Sequence, residues 1–373
     1  MKPQAIDLFC GCGGLTLGLT SAGFNVIGAL DNWPIAIQTY RQNFSHPVVC
    51  EPIENLSASE FLGRICSSKS QIDLVAGGPP CQGFSIQRIG KDSDDRNALV
   101  MEFARFVQEI QPRMFLMENV PGLLGKRGRL LAARLGCTLK SAGYEIRVKQ
   151  VNAAEYGIPQ IRKRIFFYGW RSHQGENFVF PPPTCSRDQF RTVAAAIGDL
   201  PQPSRSRNQG LQSDPLHFRT NLSELNLERL RHIPPGGGFE DLPVELRVNC
   251  HKNGASKIGH RYVYGRLVPD QPAATITARF DSFTRGKFAH PSEDRNITLR
   301  EGARLQTFPD AFHYSGTQEE IAAQIGNAIP PLLATIVASA MFAYLTSDSG
   351  RFEPPLKTER EEQFALFGAG REP

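Results

Sequence analysis

A cysteine that follows two prolines is the residue in this sequence best suited to nucleophilic chemistry. Cys81 comes directly after the run Gly-Gly-Pro-Pro at 77–80, which leaves an apolar stretch at 72–76. Prolines fix the backbone before the thiol, and open α/β sheets bind ligands at the carboxyl ends of their strands. A thiolate held there can attack an electrophilic carbon. A lone cysteine is more often an inert buried thiol, but this position favours catalysis.

One carboxylate and one pair of arginines could assist such an attack. Glu118 ends the apolar run 115–117, and a partly desolvated carboxyl group can donate a proton near neutral pH. Arg162 and Arg164 alternate in a predicted strand and therefore share a face, so two guanidiniums could converge on one anionic or carbonyl-bearing target. A solvated strand-ending glutamate and a basic edge strand are the alternatives.

The segment 7–14, Asp-Leu-Phe-Cys-Gly-Cys-Gly-Gly, predicts a strand and a glycine turn that opens a helix. Such a turn lets a ligand approach backbone N–H groups, and Asp31 lies about 20 residues on, where a ribose diol is bound. The spacing is not the dinucleotide pattern, and no cation in the turn would meet a diphosphate. The segment favours an adenosine-type cofactor such as S-adenosylmethionine. Tight helix packing alone is the other interpretation.

These residues need a sheet to bring them together. Over the first ~170 residues, short β-rich runs alternate with amphipathic segments, which predicts βαβ units on a parallel sheet. Strands are predicted at 5–9, 24–30, 72–76, 114–117, 146–151 and 165–169, and helices at 15–21, 35–43, 98–110 and 130–142. After about residue 178, proline and glycine runs predict a loop-rich second domain. Helices are predicted again at 299–307, 319–324 and 330–345.

The net charge of +5 is concentrated in one stretch. Residues 246–290 hold eight Lys or Arg and two acids, a balance of +6, which leaves about −1 for the rest of the chain. A near-neutral body with one basic stretch indicates a polyanionic partner, although a solvated basic face is an equal alternative.

Composition excludes several classes of protein. The 373 residues are 40% hydrophobic and 21% charged, as in a folded protein of two or three domains. We expect no membrane span, no signal peptide and a cytoplasmic location. The eight cysteines form no CxxC pair, which argues against zinc sites and a disulfide framework, and most are expected to be free thiols.

The ordered set of motifs resembles the DNA (cytosine-5)-methyltransferase family. The resemblance covers residues 4 to about 345 and rests on 7–14, Gly-Pro-Pro-Cys-Gln at 78–82, Glu-Asn-Val at 118–120 and Gln-x-Arg-x-Arg at 160–164. It extends to Arg-Leu at 266–267, Pro-Ala-Ala-Thr-Ile-Thr at 272–277, Leu-Gln-x-Phe-Pro-Asp at 305–310 and Gly-Asn-Ala-Ile-Pro at 326–330. Any one motif could arise by chance, whereas the ordered set could hardly do so.

The resemblance implies an α/β, Rossmann-like S-adenosylmethionine-dependent methyltransferase domain with a mostly parallel sheet, plus a smaller loop-rich target-recognition domain. It predicts a catalytic and cofactor-binding domain at 1–177, target recognition at 178–298, a return to the catalytic domain at 299–346 and a flexible polar tail at 347–373. The expected reaction moves a methyl group to C5 of a flipped-out cytosine in a specific double-stranded DNA site. Unstacking that base costs a few kcal/mol.

The resemblance also implies the roles of individual residues. Cys81 would add to C6 of the base, Glu118 would hold N3 and the exocyclic amine, and Arg162 with Arg164 would position the base carbonyl and a phosphate. The stretch 82–96 would close over the flipped base as a mobile loop. The cofactor-binding residues would be Phe9, Gly11, Gly13, Gly14, Asp31, Leu99 and Asn327. The expected DNA-binding residues are Gln82, Ser85, Arg96, Lys252, Lys257, Arg261 and Arg279.

Two positions depart from the family pattern, and both concern the adenine contacts. Asn32 stands where a large hydrophobic residue commonly follows the ribose acid, with Trp33 one step later. Pro52 replaces the acid expected before Ile53, and Glu51 is displaced by one residue. The binding of the ribose by Asp31 is unaffected by these departures.

The expected cofactor is S-adenosylmethionine, with no metal. The expected protein is a monomer in the bacterial cytosol, associated with the nucleoid when bound to DNA, and a cognate restriction endonuclease acting separately is a further partner. The alternatives are a tRNA cytosine-5 methyltransferase, a catalytically inactive DNA-binding relative and a nucleotide-dependent oxidoreductase. The tRNA branch carries a Cys-Phe-Thr triplet that is absent here, the inactive relative would not need Cys81 with Glu118 and both arginines, and the oxidoreductase would leave Cys81 unexplained.

Overall fold

The computed structural model describes residues 2–65, 71–80, 98–171, 177–205, 214–249 and 263–346. Several sequence predictions lie outside these ranges. They are Cys81 and the loop 82–96 with Gln82, Ser85 and Arg96, the basic residues Lys252, Lys257 and Arg261, and the tail 347–373.

Within the described residues, a seven-stranded sheet forms the centre of the protein. Its strand order is β3-β2-β1-β4-β5-β7-β6. β7 runs antiparallel to both β5 and β6, while the other neighbours are parallel. The strands are β1 Gln4–Leu8, β2 Asn25–Asp31, β3 Val48–Cys50, β4 Leu74–Gly77, β5 Met114–Asn119, β6 Glu145–Asn152 and β7 Lys163–Trp170. The predicted α/β fold with a mostly parallel sheet is confirmed.

Both faces of the sheet are buried, because side chains alternate between two cores along each strand. One face carries Ala5, Leu74, Ala76, Met114 and Leu116, and the opposite face carries Ile6, Leu8, Val75, Phe115 and Met117. Continuous apolar runs therefore form the central strands, as expected for parallel strands covered on both sides.

Helices cover the sheet and extend into the second part of the chain. Their bounds are α1 Gly14–Ser21, α2 Pro34–Asn43, α3 Ala58–Ile65, α4 Ala98–Ile110, α5 Arg129–Ser141, α6 Val193–Ile197, α7 Glu224–Arg231, α8 Leu299–Leu305, α9 Gln318–Asn327 and α10 Pro331–Thr346. The sequence specifies several of the helix starts. Pro34 occupies the first turn of α2, and capping boxes join Thr298 to Glu301 and Thr317 to Glu320.

The last helix packs in the core against the first. A Cβ atom added at Gly18 of α1 would clash with the side chain of Ala334 and lie 2.7 Å from the backbone N of Thr335 in α10. Only glycine permits this approach. Within the described ranges, the stretch Gln318–Thr346 is long and apolar enough to span a membrane, but 61% of its most apolar window is buried inside the protein. It is a core element here.

The second part of the chain has little regular structure, as predicted. A two-stranded parallel sheet, β8 Gly265–Arg266 and β9 Lys287–Ala289, is its only sheet among the residues described. A small core centred on Leu230, Phe239 and Phe283 lies beside it. A larger core joins residues 193–200, 216–218 and 267–297 to α8 and α9. The segment after residue 298 therefore packs against both parts of the protein.

Candidate active site

A cleft opens where the strand order reverses. The chain moves outward from β1 to β2 and β3 and returns to place β4 beside β1, and open α/β sheets bind ligands outside the carboxyl ends of strands at such a point. The cleft has a volume of about 690 Å³. Its lining includes Phe9, Gly11, Gly14, Asp31, Trp33, Gly78, Pro79, Pro80, Glu118, Asn119, Arg162, Arg164, Thr275, Ile276, Thr277, Gln324 and Asn327.

The glycine turn after β1 forms one wall of the cleft. Phe9, Gly11 and Gly13 all have positive φ angles, of 60°, 54° and 100°. A bulky residue such as Phe9 rarely adopts this conformation, and such backbone strain is found at binding sites. Nothing lies within 4 Å of a Cβ atom added at Gly11, so this glycine leaves open space on the cleft side. The turn therefore presents an aromatic ring and bare backbone to a ligand.

Asp31, at the end of β2, closes this turn. Its Oδ2 accepts a hydrogen bond from Gly11 N at 2.8 Å, and its Oδ1 accepts one from Trp33 N at 2.9 Å. Burial raises the pKa of Asp31, and these backbone bonds oppose that effect. Each carboxylate oxygen has a second lone pair for a ligand hydroxyl. The Phe9 ring, the bare backbone of the glycine turn and the Asp31 carboxylate thus fit the adenine, amino-acid and ribose parts of S-adenosylmethionine, respectively.

The remaining cofactor predictions have different outcomes. Gly14 and Asn327 line the cleft with Phe9, Gly11 and Asp31. Gly13 instead caps α1 in the left-handed region. Leu99 packs as a partly buried residue against the core on the α4 side and is not part of the cleft lining as described. Asn32, one of the two departures from the family pattern, and Trp33, one step later, both line the cleft.

The segment that leads to Cys81 is held at the cleft by β5. Gly78, Pro79 and Pro80 line it, and the Asn119 side chain donates a hydrogen bond to the Pro79 carbonyl at 3.1 Å. Asn119 is itself buried. This contact fixes the backbone two residues before the thiol, a role of Asn119 that its place in the motif did not reveal.

Glu118 and Arg164 form an ion pair at the cleft. Arg164 Nε lies 2.8 Å from Glu118 Oε1, with side chains 15% and 12% exposed respectively. The other carboxylate oxygen, Oε2, lies 3.8 Å from a Cβ atom added at Gly78. The strand that ends in Glu118 and the strand that leads to Cys81 therefore bring their polar ends to the same place.

Arg162 differs from Arg164 in its surroundings. It is 2% exposed, and its guanidinium donates to the backbone carbonyls of Ile276, Gly326 and Ala328 at 2.9, 3.1 and 3.1 Å. Burial, followed by the positive charge of Arg164, lowers the pKa of Arg162 well below its usual value. Both Nη groups of Arg162 therefore donate to backbone carbonyls of the cleft wall. Arg162 therefore supports the cleft wall, because the buried carbonyls there need donors, and it also lines the cleft. That both arginines face the substrate stays a prediction.

Two buried glutamines complete this wall. Gln160 Nε2 donates to Gln306 Oε1 at 2.7 Å and to Leu305 O at 3.0 Å, while Ile276 N donates to Gln160 Oε1 at 2.9 Å. Gln306 Nε2 in turn donates to Ile325 O at 2.7 Å. Sequence reasoning gave neither residue a role. Their signal in the sequence is their place in the motifs Gln-x-Arg-x-Arg and Leu-Gln-x-Phe-Pro-Asp.

A buried acid lies under the glycine turn. Thr16 Oγ1 donates to Asp7 Oδ2 at 2.7 Å, the hydroxyls of Thr16 and Tyr40 are 2.9 Å apart, and Tyr40 Oη lies 2.5 Å from His46 Nε2. Asp7 Oδ1 has no hydrogen-bond partner in the described structure. Burial raises the pKa of Asp7 to about 7. Asp7 supports the turn from below and does not line the cleft.

The cations of the basic stretch are not all surface charges. Arg266 is 5% exposed and donates to the carbonyls of Leu230 and Ile233. Arg279, a predicted DNA contact, is 40% exposed and forms ion pairs with Asp281 and Glu319. In the parts of the chain described, no cluster of three or more His, Cys, Asp or Glu side chains could hold a metal ion.

A glycine turn after β1, an acid at the end of β2 and a switch-point cleft, on a seven-stranded sheet with β7 antiparallel between β5 and β6, are the features of the S-adenosylmethionine-dependent methyltransferase fold. The sequence profile of C-5 cytosine-specific DNA methylases matches residues 4–343. The chain therefore belongs to the C-5 cytosine-specific DNA methylase family. It is a DNA (cytosine-5)-methyltransferase, and the family's methyl donor is S-adenosylmethionine.

Known proteins similar to this chain agree with the family. Type II methylase M.HgiDII of Herpetosiphon aurantiacus is 34% identical over 92% of this chain and 96% of its own length. Type II methyltransferase M1.HphI of Haemophilus parahaemolyticus is 36% identical over 93% of this chain and 89% of its own. The crystal structure of a prophage-encoded DNA modification methyltransferase (E. coli) has a TM-score of 0.72 and 28% identity, covering 92% of this chain and all of that one. The S. pombe Dnmt2 methyltransferase shares the fold, with a TM-score of 0.59 and 18% identity over 93% of this chain and all of that one.

Proposed function

We propose that Cys81 is the nucleophile and that it adds through Sγ to C6 of a cytosine turned out of duplex DNA. The observation that carries this proposal is the meeting of Pro80, Glu118 and Arg164 at one cleft with the glycine turn. Cys81 follows directly in the sequence after Pro80, which lines the cleft. Addition of the thiolate to C6 moves electron density to C5, which then becomes nucleophilic.

S-adenosylmethionine supplies an electrophilic methyl group when bound. Phe9 would contact the adenine, the 11–14 backbone the amino-acid part, and Asp31 the ribose hydroxyls. Trp33 would provide the large apolar surface that Asn32 lacks, since both line the cleft. Asn327 would contact the donor from the opposite wall. These residues would hold the methyl group toward C5 and exclude water from it.

Glu118 would hold N3 and the exocyclic amine of the base. A carboxyl proton delivered to N3 would neutralise the negative charge that thiolate addition creates. Arg164, already 2.8 Å from Glu118, would keep that carboxyl group oriented and reach the base carbonyl or a phosphate. C5 would then take the methyl group, with S-adenosylhomocysteine as the leaving group. Loss of the C5 proton to a base and return of the N3 proton to Glu118 would let the C6–S bond break, which restores the ring and returns the thiolate of Cys81.

The substrate would be a specific double-stranded site, read by the target-recognition part at 178–298. Arg279, Lys252, Lys257 and Arg261 would contribute phosphate contacts there, and Gln82, Ser85 and Arg96 would contact DNA from the loop after Cys81. Relatives named as Type II methylases support a modification role in the bacterial cytosol. A separate cognate endonuclease would cut the unmethylated site, and the methyltransferase would act as a monomer.

Trapping with a modified base tests the nucleophile. Duplex DNA containing 5-fluorocytosine should form a denaturation-resistant adduct with the protein and S-adenosylmethionine, because fluorine at C5 blocks the elimination step. Cys81→Ser should form none. Cys137→Ser, which removes an exposed thiol on α5, is the matched control and should react like the wild type. An adduct formed by Cys81→Ser would refute the assignment.

A second experiment tests the DNA sequence that is recognised and the kind of nucleic acid that is methylated. Expression in a methylation-free bacterial host, followed by bisulfite mapping, should reveal 5-methylcytosine at one short recurring sequence. Modification of transfer RNA in place of DNA would favour the RNA branch of the fold. The absence of both methylated DNA and modified transfer RNA would favour an inactive binding protein.

A further inference from the structure

A second basic stretch lies in the catalytic domain, directly after Glu118. Residues 119–144 contain Lys126, Arg127, Arg129, Arg134 and Lys140 and no acid. These five charges equal the net charge of the whole chain. The stretch is separate in sequence from the basic residues at 246–290, which belong to the second part of the chain.

The start of this stretch lies at the mouth of the cleft. β5 ends at Asn119, and Asn119 and Val120 line the cleft. A 3₁₀ turn at Pro121–Leu124 follows. Gly125 N then donates to Gly122 O, and Arg129 N donates to Gly125 O, each at 3.0 Å. The backbone at 124–130 is therefore a short hydrogen-bonded turn, fixed to the strand end that carries Glu118.

The side chains of this turn point outward. Lys126 and Arg129 are exposed, and Leu124 and Leu130 are 43% and 79% exposed. In the described structure no acid pairs with Lys126 or Arg129. Elsewhere in the catalytic domain, several arginines have acidic partners on the surface, such as Arg64 with Glu51 and Arg105 with Glu102 and Glu109.

Helix stability does not account for these cations. Arg129 begins α5, whose first turn contains no acid and has no side-chain cap. Positive charges at a helix N-terminus oppose the helix dipole and destabilise the helix. The charges are therefore placed against local stability, on a turn that directly follows the cleft-lining residue Val120 in the chain.

We infer that residues 124–130, the knuckle, form a second DNA-contact surface that binds the backbone phosphates beside the flipped nucleotide. This inference rests on the proposed function. Lys126 and Arg129 would each neutralise one phosphate, and Leu124 with Leu130 would cover the apolar edges of adjacent sugars. Phosphate contacts fix register without reading sequence. The knuckle would therefore position any duplex over Glu118, whichever site the second domain selects.

The test removes the charges of Lys126 and Arg129 and measures binding as salt is varied. Each lost phosphate contact reduces the slope of log K against log salt concentration by about 0.9. Lys126→Ala/Arg129→Ala should therefore lower the slope by about 1.8. The same relation predicts that the ratio of the wild-type affinity to the variant affinity for DNA grows about sixty-fold when salt falls from 1 M to 0.1 M.

A matched control removes the same charge away from the cleft. Arg41 lies in the last turn of α2 and Lys140 in the last turn of α5, about 16 Å along the helix from Arg129. Arg41→Ala/Lys140→Ala should keep the wild-type slope within about 0.3, since long-range charge effects are screened. Turnover at saturating DNA should be unchanged in Arg41→Ala/Lys140→Ala, because neither residue lines the cleft.

Failure of the inference is distinct from failure of the proposed function. A wild-type protein that forms no adduct with 5-fluorocytosine DNA would contradict the proposed function. If the wild type forms the adduct and the Lys126/Arg129 variant has the wild-type salt slope, the knuckle does not bind phosphate. Equal slope losses in the variant and its control would also overturn the inference, because the effect would then be one of net charge.

Discussion

Replacing Arg162 by lysine should loosen one wall of the cleft while keeping the positive charge. The guanidinium of Arg162 bonds one carbonyl on the segment at Ile276 and two on the segment at Gly326 and Ala328. A single ammonium group cannot span both segments as the planar fork does. We expect at least two of the three bonds to be lost in Arg162→Lys, which leaves buried carbonyl oxygens without donors.

The size of the effect follows from those bonds. A hydrogen bond to a charged group contributes about 1.5–3 kcal/mol, so two lost bonds lower the free energy of unfolding by about 3–6 kcal/mol. At about 2.1 cal/mol/K per residue, the unfolding entropy of this chain is about 0.8 kcal/mol/K. The melting temperature should therefore fall by about 4–8 °C.

The assay compares this variant with Arg164→Lys. Thermal unfolding followed by circular dichroism gives the melting temperature, and calorimetric titration gives the affinity for S-adenosylmethionine. Arg162→Lys should lose both stability and cofactor affinity, since Asn327 lies in the supported segment. Arg164→Lys keeps a positive charge beside Glu118, so its melting temperature should fall less than that of Arg162→Lys, and it should lose turnover.

The opposite pattern would refute this account of Arg162. In that case the melting temperature and cofactor affinity of Arg162→Lys match the wild type, while its turnover falls as in Arg164→Lys. That result would mean that the Arg162 guanidinium acts on the substrate itself.

Three further predictions concern buried groups. Asp7→Asn should flatten the pH dependence of stability. The pKa of Asp7 is about 7 in the folded protein against 3.8 when unfolded, so the folded wild type is favoured at low pH and loses about 4 kcal/mol of stability as pH rises from the unfolded pKa through the folded one. Measured by urea unfolding, the variant should gain about that amount relative to the wild type between about pH 4 and 8. Gln306→Leu should cost about 2–6 kcal/mol in the same assay, because Gln160 loses an acceptor and a buried carbonyl loses its donor; an unchanged midpoint would contradict this. Gly18→Ala should destabilise by about 1–3 kcal/mol because it meets the α10 backbone, whereas Gly136→Ala, with nothing within 4 Å, should be neutral or stabilising.

Most elements of the seven-stranded sheet and the helices that cover it could be predicted from local patterns. The helix predicted at 98–110 is found as Ala98–Ile110, and the strand predicted at 114–117 extends to Asn119. The prediction omitted β3 Val48–Cys50 and α3 Ala58–Ile65. β3 has three residues and forms by pairing with the end of β2, so its own sequence carries too little pattern to be recognised.

The second domain could not be predicted in detail for a different reason. Its cores gather residues that are far apart in the chain, such as Leu230 with Phe283, and it is built largely from short turns. The charge pattern was also a poor guide to its surface. Arg266 was counted among the cations of a polyanion-binding stretch, yet it is buried and holds carbonyls of the same domain.

Residue types and local patterning were enough to predict which side chains stand at the strand ends. Gly-Pro-Pro-Cys, Glu-Asn-Val and Gln-x-Arg-x-Arg each follow or precede an apolar run, and local hydrophobic patterning is enough to put such residues at the edge of a sheet. Which partners surround each of these side chains depends on folding. Arg162 and Arg164 are two residues apart and alike in type, but one is surrounded by backbone carbonyls from distant segments and the other by a carboxylate. Those partners come together only on folding, because burial makes each unpaired polar group costly and so fixes which donor meets which acceptor.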